Sequence, residues 1–465
     1  MARELRGTLN RIMGGEKEYG AQVGGWNLFF RGPGNVWFCN GGRLYLDIGK
    51  HPEYNTREST DPRKLAKLTI SGDIEATERM QQLPTMGHQY LTANNIALAD
   101  GVGGGIRIVG WGSHDNYLIK LPEHVRGREG IETYLNHLIR QITAFQISFY
   151  IIAGNGGFIP DGSGGYRRVL SERASIVDDL IGGHTTQNKV TFLLRDESLA
   201  GQGYYRLQVV GNDSNALFEP VWLRFALMDL MLLMAENDAL GFMELELPLK
   251  ALAAINADPW AEVSVRQSGE SSGLTACQIQ WAHLERAHEF VKTHGLEAKY
   301  QDALAVWEEL LEAIERRDLE ALQRRLGWAL RWELATRYEE KLGRPMTGKQ
   351  AIEFCMKTML LFDSRLPRDA KGNFRSPLME TRRRMLDPAI LEEAEAYRHQ
   401  LPESGTRARL RALVIREAQQ RRVPYYISSW TSITVEGITY QLTDPYLDRH
   451  QELEDWLQQE DDQVA

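Results

Sequence analysis

The sequence predicts an α+β fold on three observations: Gly-punctuated alternating runs at its start, mixed helical and extended patterns through its middle, and a long helical stretch after about Gln278. From Thr8 to Tyr54, Gly20, Gly24, Gly25, Gly32 and Gly34 break short alternating runs, which reads as strands joined by tight turns. Further strands are expected over 106–111, 117–121, 190–194 and 205–210. Between them, Ile131, Leu135, Leu138, Ile142, Phe145 and Phe149 recur at steps of three and four, the stripe of an amphipathic helix ending near Gly154. The most apolar stretch, 221–234, is short and carries Arg224 and Asp229, so it reads as a buried helix. Beyond Gln278, Leu304, Trp307, Leu311 and Ile314 keep helical spacing, and the pattern stops at Gly343-Arg344-Pro345. Pro402-Glu403-Ser404-Gly405 interrupts it again. A helix over 406–420 and a hairpin over 427–442, turning at Glu436-Gly437, then suggest a small C-terminal domain, with a division into 1–400 and 401–465.

At 465 residues, with 43% hydrophobic and 25% charged, the chain can bury a large core and hold more than one domain. Its 54 basic and 63 acidic residues give a formal charge of -9, so neither nucleic acid nor an anionic membrane is expected as a partner. Cys39, Cys277 and Cys355 form no CxxC or regular framework, which argues against structural zinc and disulfides and for a reducing cytoplasm. The first residues, MARELRGTLNRIMGG, hold no apolar run of signal-peptide length. Neither internal repeats nor low-complexity segments occur, apart from Gly clusters at 101–105 and 154–165.

The chemistry is concentrated near the start. Glu16, Glu18, Tyr45, Asp47 and Glu53 are five acidic and phenolic oxygen donors on short extended segments. Because strand residues two apart share a face, Arg43, Tyr45 and Asp47 point one way and Leu44, Leu46 and Ile48 the other. Glu16 and Glu18 flank Lys17 in the same manner, so two carboxylates lie side by side and need a cation or a proton between them. Two glutamates at this spacing commonly form a solvated face; the repeated pattern on a second strand, followed by Glu53, favours a metal-nucleotide site. Gly343-Arg344-Pro345-Met346-Thr347-Gly348-Lys349-Gln350 imitates a Walker A loop, but Gln350 replaces the magnesium-binding Ser or Thr and a helix precedes it, so it reads as a helix stop and turn. His283 and His288, five apart on a helix, do not make a zinc pair.

Taken in order, these motifs resemble the Pup ligase and Pup deamidase family, carboxylate-amine ligases related to glutamine synthetase. MGGEKEYG is similar to the family's opening strand and GGRLYLDIGKHPEYNTRE to its most diagnostic segment; Asn94-Asn95, SHDNYL, LSERA, LLRDES, VGNDSN, TRARLR and the Trp430 segment follow in order. The resemblance implies a large glutamine synthetase-like domain, with a curved, mainly antiparallel sheet packed by helices, and a small C-terminal α/β domain contributing to the nucleotide site. It also implies ATP and Mg²⁺ as cofactors. Glu16, Tyr45 and Glu53 would hold magnesium with Glu18 as a neighbouring ligand, Asp47 would be the catalytic base, Arg43 and Thr56 would contact ATP, Arg195 would meet phosphate, and Trp430 would lie against the base.

The activity implied is ATP-dependent ligation of the C-terminal Glu side chain of a small disordered Pup-like modifier to a lysine of a target protein, through a γ-glutamyl phosphate. A deamidase or isopeptidase on the same fold, a small-molecule glutamate-amine ligase and a noncatalytic paralogue are the alternatives. The 20 residues 21–40 leave no room for the long deamidase insertion, which favours the ligase branch. Lys17 and Ser198-Leu199 depart from the family pattern. For an acidic modifier, Arg407, Arg409 and Arg411 or Arg382, Arg383 and Arg384 would offer basic surface.

Overall fold

The computed structural model describes residues 5–23, 35–47, 51–84, 87–100, 106–185, 188–195, 199–241, 243–267, 269–372 and 374–458. The expectations at Gly24, Gly25, Gly32, Gly34, Ile48, 101–105 and 196–198 lie outside them. Eight strands form the main sheet: β1 (Met13–Glu18), β2 (Asn35–Trp37), β3 (Arg43–Leu46), β4 (Pro52–Asn55), β5 (Ser113–Lys120), β6 (Asp179–Gly182), β7 (Val190–Leu193) and β8 (Tyr204–Asn212), in the order β6-β7-β8-β5-β1-β4-β3-β2. Every neighbouring pair is antiparallel except β6 and β7, as the mainly antiparallel expectation requires.

Helix α1 (Pro62–Gln81) starts where Asp61 accepts hydrogen bonds from the backbone N–H groups of Arg63 and Lys64, with Pro62 in the first turn. It packs on the reverse face of the sheet so closely that a side chain at Gly72 would collide with the Tyr54 ring. Helix α2 (Gly127–Ser148) matches the expected stripe. Helix α3 (Phe218–Glu236) is buried at every residue except Glu219, as its all-round apolar character demands. Its two internal charges are paired: Arg224 lies 2.6 Å from Asp115, and Asp229 takes Arg11 at 3.0 Å. No described helix is long and apolar enough to cross a membrane.

The long helical stretch is present, including Gly327–Leu342, which ends with Gly343 in the left-handed region at φ 66°. The Walker-like string is a capping box: Thr347 caps the Gly348–Thr358 helix, and Gln350 returns the hydrogen bond. After residue 400, helix α4 (Ala408–Arg421) and a three-stranded antiparallel sheet (Tyr425–Ser429, Ser432–Val435, Ile438–Gln441) surround an apolar cluster that includes Trp37 of β2. The expected turn is there, with Glu436 and Gly437 both at positive φ, but one strand more than a hairpin joins it.

Candidate active site

Strand register brings the acidic residues together. Glu18 stands opposite Glu53, Glu53 opposite Tyr45, Glu16 opposite both Asn55 and His114, and Asn55 opposite Arg43. Directly opposed residues share a face, so Gly14, Glu16, Glu18, Arg43, Tyr45, Glu53, Asn55, His114 and Asn116 form one polar surface, extended by Arg206 and Gln208 of β8. The reverse surface carries Gly15, Lys17, Leu44 and Tyr54 beneath the helices.

Each carboxylate has a distinct set of partners. Glu16 receives Asn116 Nδ2 at 3.0 Å, lies 3.3 Å from His114 Nδ1 and meets Arg206 Nη1 at 3.4 Å. Glu18 accepts the Gly112 N–H at 2.6 Å and sits 3.3 Å from His51 Nε2, which is also 3.9 Å from Asp47. Glu53 accepts from the Tyr45 hydroxyl and from Asn55 Nδ2, both at 2.7 Å. Glu18, Asp47, His51 and Glu53 converge so that one ligand atom from each lies within 4.8 Å of the others.

Burial acts on all of these groups, and their neighbours decide the outcome. Glu53 is pushed up to about 8 by burial together with repulsion from Glu16 and Glu18. Against the same burial, the His114 hydrogen bond and the Arg206 charge hold Glu16 below the carboxylate range, and His114 and His51 hold Glu18 well below it. The two imidazoles are raised in turn, burial notwithstanding, chiefly by Glu18. The site therefore keeps a proton on Glu53 where negative charge is in excess. A hard divalent cation suits that excess and these carboxylate oxygens, so Glu18, Asp47 and Glu53 fit a magnesium-like ion, with Glu16 and the Tyr45 hydroxyl adjoining.

The expected ligands Glu16, Glu18, Tyr45 and Glu53 thus share one surface, and among the described His, Cys, Asp and Glu side chains Asp47 and His51 converge with Glu18 and Glu53. Asp47 is the most open carboxylate of this set, with 29% of its side chain exposed against 12% for Glu18. The Arg43 guanidinium lies 4.1 Å over the Tyr45 ring and 5.3 Å from Trp37, and Nε donates to Asn35. Arg195 is exposed just beyond β7, five strands from Arg43, or about 24 Å across a flat sheet. Beside Glu16 the structure places Arg206 instead. His51, His114, Asn116, Arg206 and Gln208 were not singled out as site residues from the sequence, although polar residues at alternate positions in SHDNYL and YYRLQ are the signal that marks them.

Next to Glu16 a pocket opens between the sheet and the C-terminal residues. Ile12, Leu118, Leu199, Ala200 and Pro445 are its apolar lining; Glu16, Asn55, Glu58, Asn116 and Arg206 are its polar lining. Trp430 and Arg407 close one side, and Thr56 lines it while its hydroxyl accepts the Gly15 N–H and donates to the Arg57 carbonyl. Trp430 is held there by an edge contact with Trp37 at 4.8 Å and by the Arg411 guanidinium, 4.8 Å from its ring, which also donates to the Trp430 carbonyl. Glu58 accepts from both Arg407 and Arg411. These two arginines are buried, as is Arg382, which pairs with Asp73. They join parts of the chain and do not supply the basic docking surface expected of them; Arg383 and Arg384 are exposed.

The sequence matches the Pup-ligase protein family over residues 8–434. It is 30% identical to the Pup–protein ligase of Geodermatophilus obscurus over 397 residues, covering 83% of this chain and 81% of that protein. With the Pup–protein ligase of Micrococcus luteus it is 30% identical over 459 residues, covering 91% and 92%. The fold superposes on the crystal structure of the ligase PafA in complex with the prokaryotic ubiquitin-like protein Pup, with a TM-score of 0.76, 22% identity and coverage of 96% of this chain and 92% of that one. PafA in complex with ADP gives a TM-score of 0.70 at 21% identity, covering 91% and 89%. With the family's span including the whole carboxylate surface and reaching past Trp430, the chain belongs to the Pup-ligase family.

Proposed function

We propose that the chain is an ATP-dependent ligase that joins the C-terminal Glu side chain of a Pup-like modifier to a lysine of a target protein through a γ-glutamyl phosphate. One observation carries this reading: along the site face of β1, Gly14, Glu16 and Glu18 lead in about 14 Å from an apolar pocket under Trp430 to a cluster of carboxylates. A nucleotide has the same polarity, with an apolar base at one end and phosphates that need cations at the other.

Magnesium, held by Glu18 and Glu53 with Glu16 and Tyr45 adjoining, would offset the charge of the phosphates. Arg43, flattened between Tyr45 and Trp37, is a fixed cation for the moving phosphoryl group, and Arg206 a second one beside Glu16. Arg195 would meet phosphate from the β7 end of the site surface, beyond Gln208. Thr56 borders the nucleotide, and Trp430 lies against its base. Asp47, the most open carboxylate, attracts the lysine ammonium and takes its proton so that the amine can attack. Residues 401–465 act as a separate small domain that completes the pocket, and the enzyme works in the cytoplasm.

Purified protein incubated with ATP, Mg²⁺, a Pup-like modifier ending in Glu and a lysine-bearing protein should release one ADP per isopeptide bond. Bond cleavage without ADP release would instead indicate a deamidase or isopeptidase, and product from free glutamate alone a small-molecule ligase.

A further inference from the structure

Two adjacent glycines on β1 have different reasons for being glycine. A Cβ on Gly15 would lie 3.1 Å from the Phe225 ring and 3.3 Å from Thr69, so packing of α1 and α3 against the sheet excludes a side chain there. A Cβ on Gly14 would meet nothing within 4 Å, and its backbone is outside the left-handed region. Neither conformation nor packing within the protein calls for glycine at position 14. A glycine inside a strand weakens it, and one that is otherwise unexplained marks close approach by a ligand or another chain. Gly14 shares the face of Glu16, pairs with Asn116 and lines the pocket floor, with Ile12 and Leu118 on one side and Trp430, Leu199, Ala200 and Pro445 around it.

We propose that Gly14 is a specificity-determining position for the nucleotide: the bare strand at this residue is the seat on which the base ring lies. The inference rests on the nucleotide reading given above and adds the residue that leaves room for the ring. A methyl group at position 14 would rise into that space without touching the rest of the protein. An isopropyl group would reach further into it.

The test compares wild type, Gly14→Ala, Gly14→Val and Gly15→Ala by thermal melting, by equilibrium binding of ADP and of inorganic tripolyphosphate with Mg²⁺, and by ligation kinetics. Gly14→Ala should melt no lower than wild type, bind ADP about tenfold more weakly and keep its kcat at saturating ATP while KM for ATP rises; Gly14→Val should lose more affinity. Tripolyphosphate, which has no base, should bind both Gly14 variants as it binds wild type. Gly15→Ala should lower the melting temperature. Unchanged ADP affinity in the two Gly14 variants, an equal loss of tripolyphosphate affinity, or a lowered melting temperature for Gly14→Ala would each overturn the proposal while leaving the nucleotide reading intact. Failure of wild type to bind ADP would overturn both.

Discussion

Glu18 and Glu53 face each other across neighbouring strands under the same burial, and their neighbours drive them apart: Glu18 is held ionised by His114 and His51, whereas Glu53, beside Glu16 and Glu18, is pushed up to about 8. Two carboxylates this close cannot both carry a full charge without a cation between them. One of the pair therefore waits in its protonated form.

Glu53→Gln follows from that difference. The amide mimics a protonated carboxyl, so unfolding stability should stay within about 0.5 kcal/mol of wild type. The Mg²⁺ concentration needed for half-maximal ATP turnover should rise about tenfold or more, because a ligand charge is lost. Urea denaturation and a magnesium titration of ADP release check the two halves separately.

Asp47→Asn should separate binding from chemistry. Asp47 lies at the open rim of the cluster, so its replacement leaves the pocket under Trp430 untouched. Isopeptide formation should fall about 10²- to 10⁴-fold, the usual worth of a positioned base. Calorimetric ADP affinity measured without Mg²⁺ should not change.

On the reverse face of β1, Asp73 accepts from Lys17 at 2.7 Å, from Arg382 at 2.5 Å and from the Tyr19 hydroxyl at 2.8 Å, all buried. Asp73→Ala strands two cations in the interior and should cost about 3–5 kcal/mol in urea unfolding. Lys17→Met leaves Asp73 paired with Arg382 and should cost clearly less. Equal losses would mean that the two pairs are not sharing the carboxylate.

Glu58 supplies a pH test. Burial alone would raise its carboxyl, but Arg411 and Arg407 hold it down to about 2, below its ordinary value of 4.5. Its contribution to stability is therefore complete above about pH 4.5 and lost as the pH falls toward 2. Glu58→Gln should be destabilised by about 3–5 kcal/mol at pH 7. The gap to wild type, followed by thermal melting, should narrow as the pH drops below 4.5.

The alternation in Glu16-Lys17-Glu18 and Arg43-Leu44-Tyr45 was enough to place the oxygen donors on one surface, because side-chain direction in a strand is a local property. Register is not. That Glu18 meets Glu53, or that Arg206 reaches Glu16 through β5 and β8, depends on strand order, which no short window of sequence contains. The arginines show the same limit. Arg382 and Arg411 look like solvated helix faces locally, and they are buried because Asp73 and Glu58, 309 and 353 residues away in the chain, fold back to meet them. The buried helix at 218–236 was readable in advance, since uniform apolarity needs no partner to be recognised.

Glu58 belongs at once to the rim of the pocket and to the joint that fastens α4 to the sheet. Occupancy of the first and security of the second are thereby linked, since whatever favours the assembled rim also favours the clasp. Severing the last sixty or so residues would do more than expose one side of a cavity: it would strip Glu58 of both arginines that hold its charge.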